Sequence, residues 1–459
     1  MASQNPITRI DSHSSSQHWR GWGSGGDHRR IFAIALPMII SNIAAPLLGL
    51  VDTAIIGHLP QSIYLSAVAL GAMVVSFVFL LAIFLRMTTT AEAAQAFGAE
   101  DSVATERTLV HGLWLAWGLG ALLIFCGPGL ITGAWWIIQP SEALKALASQ
   151  YISIRLWAAP AALTNLVVLG VLLGRQQSKQ AMILVIFTNA VNVIGDVILI
   201  LGMGMTVAGA AWASVIAEIS TALLGLAMLK PLLPRMGPLW RIQRHHLRRF
   251  ASMNRDVFIR SLLLQLCMAV MTGYAARFGA VVVAANAVLM QFLLLISLGL
   301  DGIAYAVEAL VGAARGRKNG LEIRFWMRLT LLWSCIFACL YSLAFWLAGD
   351  MIIQMLTDLP DVIAVANRYV VWLWILPLLG HWSYYFDGVY IGLGLTQAMR
   401  DTMAISAFAV FVPVWLGGQA LLPNNNANHG LWLALSLFLL ARGASQYWML
   451  TRRYASLLN

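Results

Sequence analysis

Charged residues are scarce in this sequence. Asp, Glu, Lys and Arg make up only 10% of its 459 residues, whereas 60% are hydrophobic, and the mean hydropathy is +0.78. A soluble domain needs far more polar surface than this to face water. The shortage of charge therefore excludes a soluble globular protein and indicates an all-α polytopic membrane protein.

Residue patterns that form metal or catalytic sites are also missing. The cysteines lie inside apolar runs without the spacing of metal ligands, so we interpret them as small core residues and expect neither a disulfide framework nor a metal site. The sequence has no H-E-x-x-H motif and no G-x-S-x-G motif within a predicted helix. We therefore expect no catalytic residues, which disfavours an intramembrane enzyme. The four cysteines are Cys126, Cys267, Cys335 and Cys339.

The charge that is present is mostly positive, with a formal net charge of +10. In a soluble protein this excess would suggest nucleic acid, but here the basic residues lie in short loops, where they set orientation in the membrane. Loops on one side hold most of them, whereas loops on the other side hold little more than Lys145, Arg277 and Arg368. This asymmetry predicts that both termini are cytoplasmic, and no nucleic-acid partner is expected.

Twelve apolar stretches follow a polar N-terminal segment, and each is long enough to cross a bilayer. Residues 1–30 are rich in Ser, Gly, His and Arg, so we expect a disordered cytoplasmic tail. The first apolar run is too long for the core of a cleavable signal peptide and should remain as a helix. The stretches cover approximately 32–59, 63–98, 105–138, 143–174, 179–201, 206–230, 251–278, 281–314, 322–348, 362–395, 400–421 and 428–450.

The two halves of this apolar region resemble each other. YISIRLWAAP and RYVVWLWILP place Trp157 and Trp374 at an offset of 217, and each stretch ends in proline and precedes two glycines spaced i, i+4. Chance similarity between apolar helices is the alternative. Six helices per copy is an even number, so the copies should be related by a pseudo-twofold axis along the membrane normal. The predicted domains are an N-lobe at 31–230, a cytoplasmic linker at 231–250, a C-lobe at 251–453 and a cytoplasmic tail at 454–459.

One acid, Asp52, interrupts the otherwise uncharged stretch Leu36–Leu59. An ionised carboxylate inside hydrocarbon costs at least roughly 2.5–3.5 kcal/mol, so a functional role is favoured over a purely structural hydrogen bond. Pro37 and Pro46 lie in the same predicted helix, and Pro46 leaves the carbonyl of Asn42 without its helical donor. The prolines predict a hinge near the acid.

A second acid, Asp196, lies at similar predicted depth in the fifth apolar stretch. Two carboxyl groups that face each other at one depth repel when ionised, which suits reversible protonation. Asn192 lies one turn before Asp196 and could donate to a carboxylate or shape a cation site. The three residues are candidates for proton coupling, with Asn189 and Ser214 as weaker companions.

The second half has its own acids, Asp301, Glu308 and Asp387, which are candidates for lining a substrate cavity. The alternative is structural pairing with Arg260 or another buried base. Asp256 precedes Arg260 by four residues, so these two are expected to form a local ion pair.

Methionine and aromatic side chains accompany these acids, among them Met290 and Tyr305. Most such residues only pack or anchor helices at the interface. Adaptable methionine and aromatic surfaces beside acids are nevertheless what a promiscuous site for hydrophobic cations needs. We therefore include both as cavity candidates.

These residues lie in stretches that resemble the multidrug and toxic compound extrusion (MATE) family, and within it the DNA-damage-inducible F branch. The resemblance covers residues 31 to 453 and is carried by LPMIISN, PLLGLVDTAIIGHL, FLRMTTTAEAAQAFGA, NVIGDV, NRDVFIRSLLLQLC, LDGIAYAVEA and FDGVYIGLG. It implies two six-helix lobes flanking a central cleft in a bacterial inner membrane. It also implies alternating access and export of organic cations or other amphipathic compounds, driven by H⁺ or Na⁺.

The resemblance also assigns roles to single residues. Asp52 takes the place of the family's coupling acid on helix 1, and Pro37 that of the proline about which helix 1 bends. Asn192 and Asp196 match the polar pair of the N-lobe, and Ser214 falls where some members have a threonine on helix 6.

The C-lobe both matches the family and departs from it. Asp387 matches the acid on helix 10, but the acid that Na⁺-coupled members carry on helix 7 has no clear counterpart inside Ser261–Phe278. This departure favours H⁺ as the coupling ion and leaves Na⁺ as the alternative, with no other cofactor expected.

A lipid-linked oligosaccharide flippase of the same superfamily is the second hypothesis. Such a protein should carry a cavity rich in Arg and Lys, whereas buried arginine is limited in this sequence to Arg86, Arg155 and Arg260. The leading prediction is an H⁺-coupled exporter of small cationic or amphipathic substrates, acting as a monomer in the lipid bilayer.

Overall fold

The computed structural model describes residues 21–57, 59, 61–232, 244–421 and 427–458. Regular structure in these ranges is entirely helical, in segments that we group into twelve helices, α1 to α12. Their bounds are α1 Gly25–Gly57, α2 Ser62–Leu81 and Phe84–Gly98, α3 Ser102–Ile138, α4 Glu142–Leu156 and Ala159–Gly174, α5 Ser178–Asp196 continued by Val197–Gly202, α6 Val207–Met228, α7 Arg244–Ala275, α8 Ala280–Gly316, α9 Gly320–Leu356, α10 Pro360–Tyr369 and Val371–Leu393, α11 Thr396–Leu421, and α12 Ala427–Arg453.

Most of these helices are long and apolar enough to cross a membrane. Nine in the described ranges pass that test as single helices, and α4 and α10 add two more if each bent pair is one span. The last helix, α12, has 27 residues, which at about 1.5 Å per residue also exceeds the hydrocarbon thickness. The predicted fold class, a polytopic all-α membrane protein of two six-helix lobes, is confirmed by the solved structure described below.

The two lobes repeat the same local geometry. The segments of α4 meet at a bend of 52° and those of α10 at 47°, and α5 and α11 both contain a six-residue π-helical turn. A Cβ on Gly174 would lie 2.8 Å from the carbonyl oxygen of Thr90, and one on Gly392 would lie 2.9 Å from that of Glu308. Subtracting 174 from 392 and 90 from 308 gives 218 in both cases. The glycine pairs of the sequence repeat are therefore equivalent close helix contacts.

The lobes meet at the C-terminal ends of α2, in the N-lobe, and α8, in the C-lobe. A Cβ on Gly98 would overlap the carbonyl of Ala313, and one on Gly316 would overlap the carbonyl of Gln95, so backbone touches backbone here. The Gln95 amide also donates to the carbonyl oxygen of Gly392 at 3.0 Å. We call this region the closed end of the molecule.

The start of α1 differs from the prediction, because residues 25–30 are helical and not part of a disordered tail. The backbone N–H and the hydroxyl of Ser24 donate to the Asp27 carboxylate at 2.7 and 2.8 Å, which fixes the first turn. Arg30 then donates to the Gln176 side chain at 2.9 Å and lies 5.4 Å from the ring centre of Trp326. Its contacts with both lobes order a segment whose polar composition alone predicts disorder. Residues 1–20 lie outside the described residues.

The predicted linker at 231–250 lies partly outside the described residues, at 233–243. Helix α7 begins at Arg244, so the last residues of that range belong to its first turns. Beyond α12, Tyr454 and Leu458 pack against a core that includes buried residues of α1, α2 and the C-lobe. The predicted domain boundaries otherwise stay predictions.

Candidate functional site

The two N-lobe acids, which the sequence places at similar depth, lie together in the structure. Asp52 of α1 and Asp196 of α5 have adjoining carboxyl groups. Asp196 is 1% exposed and Asn192 is 4% exposed, whereas Asp52 is only half-buried. When the Asn192 amide is oriented to satisfy its neighbours, its nitrogen donates to Oδ1 of Asp52 at 3.2 Å. One amide therefore connects the helix that carries Asp52 to the helix that carries Asp196.

Ser214 of α6 completes the arrangement. In the same orientation, the amide oxygen of Asn192 accepts from the Ser214 backbone N–H at 3.1 Å and from its hydroxyl at 2.9 Å. Asp196 is the last residue before the π-helical turn Val197–Gly202, a distortion that is frequent at functional sites. Its Oδ1 atom is buried and has no hydrogen-bond partner among the described residues. The Asp196 carboxyl group thus keeps one oxygen as an unused acceptor.

Tyr151 and Arg155 also belong to this site, although the sequence analysis did not assign them to it. Both lie on the first segment of α4, close enough to the two carboxyl groups for their side chains to interact with them electrostatically. The Nε and Nη1 atoms of Arg155 are buried without a partner in the described ranges. The signal that could have found them is their i, i+4 spacing, which puts both on one helical face.

The candidate hinge residues Pro37 and Pro46 lie within a single continuous α1. Because Pro37 has no N–H, the carbonyl of Ala33 lacks its helical donor, and the Ser178 hydroxyl of α5 donates to it at 3.0 Å. Near Pro46, the Asn42 amide donates to the carbonyl of Leu298 in α8 at 3.2 Å. Both prolines therefore lie where side-chain hydrogen bonds tie α1 to a neighbouring helix. Bending at these prolines stays a prediction.

A cavity of about 530 Å³ lies between the lobes and contains all the C-lobe candidates. It is lined by acidic, basic, aromatic and methionine side chains from α2, α7, α8, α10 and α12. The charged and named candidates among its lining residues are Arg86, Arg260, Met290, Asp301, Tyr305, Glu308, Asp387 and Arg442.

Asp387 is held by three side chains from two other helices. Arg260 of α7 donates to Oδ2, Arg442 of α12 donates to the same oxygen at 2.5 Å, and Gln446 donates to Oδ1 at 3.0 Å. This is the structural pairing that the sequence analysis kept as the alternative. Arg442 and Gln446 were missed, although an arginine inside the apolar run LFLLARGAS was a visible signal.

The predicted local ion pair between Asp256 and Arg260 is wrong. Arg260 points to Asp387 instead, and Asp256 accepts from Arg400 of α11 at 2.7 Å and from Arg255 at 3.2 Å. Spacing along one helix permits a pair but cannot exclude a partner on another helix, and here each residue has one.

Glu308 is paired across the two lobes. Nη1 of Arg86, from α2, donates to Oε2 of Glu308 at 3.1 Å, and both side chains are buried. The Arg86 guanidinium also lies 4.7 Å from the ring centre of Tyr305. This ion pair joins the N-lobe to the C-lobe beside the closed end.

Asp301 differs from the other two C-lobe acids because no side chain among the described residues is hydrogen-bonded to it. Its neighbours in the cavity include Tyr384 and Ser297, whose hydroxyls bond to each other at 2.8 Å. A carboxylate without a bonded partner in a cavity is available to a ligand. Asp301 is therefore the acid in this cavity with the clearest capacity to bind a cation.

Asn189 lies apart from the acid pair. Its amide donates to the carbonyl of Ala44 in α1 at 3.1 Å, and it lines a separate, smaller cavity of the N-lobe.

Comparison with known proteins gives consistent matches. The MatE family model matches residues 37–198 and 257–416, one segment in each lobe. DNA damage-inducible protein F of Escherichia coli strain K12 is 45% identical over 91% of this chain and 90% of its own length. The probable multidrug resistance protein NorM of Pseudomonas syringae pv. tomato is 26% identical over 81% of this chain and 82% of its own length. A solved structure described as the outward-facing conformation of a multidrug resistance MATE family transporter of the MOP superfamily has a TM-score of 0.82 at 19% identity, and covers 94% of this chain and 96% of the other.

Proposed function

Because this chain belongs to the MatE family of membrane transporters, we propose that it is an H⁺-coupled antiporter that exports organic cations or amphipathic drugs by alternating access. It is a multi-pass membrane transporter and not an enzyme. The flippase alternative has no support among these relatives, and the central cavity balances its arginines with acids.

The observation that carries the coupling proposal is the contact between Asp52 and Asp196. Two ionised carboxylates in contact repel each other, and one proton between them removes that repulsion. Asn192 donates to Asp52, and Asp196 retains an unpartnered oxygen, so a proton gained or lost by the pair changes which hydrogen bonds can form. The pair therefore has two protonation states with different bonding.

A change at the pair can be transmitted through α1. This helix carries Asp52, lacks one backbone hydrogen bond at Pro37, and is held there by the Ser178 hydroxyl. Bending at the proline needs no further loss of a backbone bond, so its cost is low compared with bending elsewhere in the helix. We propose that protonation of the Asp52 and Asp196 pair bends α1 and disfavours substrate binding, which couples the two reciprocally.

The substrate is proposed to bind in the central cavity. Its volume of about 530 Å³ lies in the range of drug-sized sites. Arg86 is bonded to Glu308, and Arg260 and Arg442 are both bonded to Asp387, which leaves Asp301 as the acid without a bonded arginine and therefore the one open to a cationic group. Met290 and Tyr305 supply the adaptable surface for its apolar part.

The asymmetry of loop charges supports an orientation with both termini in the cytoplasm. In that orientation the closed end faces the cytoplasm. The structure then corresponds to a state closed toward the cytoplasm, in which substrate is released to the outside.

The test is drug efflux from proteoliposomes with a pH gradient and a Na⁺ gradient imposed separately. Asp52→Asn keeps the size of the side chain but cannot titrate, so we expect a folded protein that has lost most export and all substrate-induced proton release. Glu142→Gln, at a side chain that is 88% exposed, is the control and should export normally. Export driven by the pH gradient at the wild-type rate in Asp52→Asn would show that the coupling acid lies elsewhere.

A further inference from the structure

Glu218 is a membrane-embedded acid that the proposed coupling mechanism does not use. It lies in the middle of α6, in the run ASVIAEISTALL, and is half-buried. Together with residues of α4 and α5 it lines a separate N-lobe cavity of about 240 Å³. An acid retained in a transmembrane helix at substantial cost calls for a function of its own.

Asn165 of α4 is the main partner of this acid. Its amide nitrogen donates to the backbone carbonyl of Glu218 at 3.1 Å and to its Oε2 atom at 2.6 Å. Both amide hydrogens are then used. Asn165 is 8% exposed, lines the cavity, and has an Oδ1 atom with no partner among the described residues. The amide therefore contributes an unused acceptor next to the carboxylate.

Two threonines that line the same cavity use their hydroxyl hydrogens in bonds within the protein. The Thr188 hydroxyl donates to the carbonyl of Leu184 at 2.8 Å, and its oxygen lies 2.8 Å from that of Thr221. Since the hydrogen of Thr188 is already used, Thr221 must be the donor in the second bond. Both hydroxyl oxygens retain lone pairs, and neither has a hydrogen to offer to a ligand.

The polar part of this cavity wall thus offers oxygen acceptors, namely one carboxylate, one amide oxygen and two hydroxyl oxygens, while aliphatic side chains and Phe79 line the rest. Oxygen ligands of this kind suit hard cations. A single negative charge matches a monovalent cation better than a divalent one, and 240 Å³ is below the size of drug sites but ample for an ion with water. We propose that the Glu218 cavity is a binding site for a small monovalent metal cation, Na⁺.

The position of the site gives the cation a path to influence transport. Asn189 lines the same cavity, and its amide donates to the carbonyl of Ala44, in the helix that carries Asp52. Glu218 and a hydrogen bond that ties α5 to α1 therefore border one cavity. The residues of this site are nevertheless different from those of the Asp52 and Asp196 pair.

The proposal is tested by equilibrium binding of ²²Na⁺ to the purified full-length protein, with choline chloride used to hold ionic strength constant. We expect saturable binding to the wild type. Glu218→Gln removes the charge but keeps the shape, and should weaken Na⁺ affinity by about tenfold or more. Asp52→Asn should leave this binding in place. Glu142→Gln is the control for loss of an exposed carboxylate.

A second pair of variants covers the case in which Glu218→Gln does not fold. Thr221→Val removes one oxygen at nearly constant size and should weaken Na⁺ binding, whereas Thr221→Ser should retain it. The proposal is overturned if the wild type binds no Na⁺ saturably. It is also overturned if folded Glu218→Gln binds Na⁺ like the wild type, or if binding is lost only in Asp52→Asn. Failure of H⁺-driven export would refute the proposed function and leave this binding result unaffected.

Discussion

Replacing Glu308 with Gln should shift the protein away from the state described here. Arg86 and Glu308 are both buried and belong to different lobes, so we expect their ion pair to break when the lobes separate at the closed end. In Glu308→Gln the guanidinium of Arg86 stays buried without its carboxylate. Separation of the lobes at that end exposes Arg86 to water and removes the free-energy cost of its unpaired buried charge. The variant should therefore favour the separated state.

The size of the shift follows from the cost of an unpaired buried charge. Removing one partner of a buried ion pair typically costs about 3–5 kcal/mol. Asp301 also lies near enough to stabilise the positive charge of Arg86, so we take the lower end of this energy range. A cost of about 3 kcal/mol corresponds to a change of roughly 100-fold in the ratio of closed to separated molecules.

The assay is the distance between two spin labels, measured by pulsed electron resonance in a cysteine-free background. Val103 at the start of α3 and Arg324 at the start of α9 are exposed residues near the closed end, one in each lobe. We expect longer distances to dominate in Glu308→Gln. The double variant Arg86→Met with Glu308→Met leaves no buried charge and should restore the shorter distance.

Glu322→Gln is the matched control, because Glu322 is also buried and also bonds an arginine, Arg317, but within one lobe. It should cost stability without changing the distance between the labels. The reasoning is refuted if Glu308→Gln keeps the wild-type distances, or if Glu322→Gln lengthens them equally.

Three further outcomes are expected. Gly98→Ala places a methyl group against the carbonyl of Ala313, so export should be lost, whereas Gly118→Ala, with open space around it, should export normally in the same vesicle assay. Asp387→Asn leaves two arginines without their shared carboxylate and should lower the free energy of unfolding by about 3–5 kcal/mol, seen as a lower melting temperature in detergent; an unchanged melting temperature would contradict this. Asp301→Asn should raise the KM for cationic drugs several-fold at unchanged melting temperature, and an equal effect on neutral substrates would argue against a charge contact.

The sequence was sufficient for features that depend on local pattern. Long apolar runs predict the spans, and the lone acids Asp52 and Asp196, each inside such a run, predict a polar site that the structure brings together with Asn192. The repeat of glycine and proline spacing predicts equivalent contacts in both lobes. These signals are strong because each polar or charged residue placed in the hydrocarbon core costs free energy.

Features that depend on which helices are neighbours could not be read in the same way. Arg260 and Asp256 satisfy the spacing rule for a pair, yet each bonds to another helix. Arg442 reaches Asp387 from 55 residues away, and Glu218 meets Asn165 from 53 residues away. Nothing in local periodicity specifies such partners, because the order of helices around a lobe is set by packing of the whole chain.

The glycines of the closed end also bear on how the lobes move. At Gly98 and Gly316 the backbones of α2 and α8 touch directly, with no side chains interleaved between them. Separation at these glycines requires no rotamer change. Van der Waals attraction between the two backbones falls steeply with distance, so a partly separated interface retains almost none of its attractive energy. The two lobes should therefore exchange between joined and separated arrangements as rigid bodies in one step, and intermediate openings should be sparsely populated at any moment of the cycle.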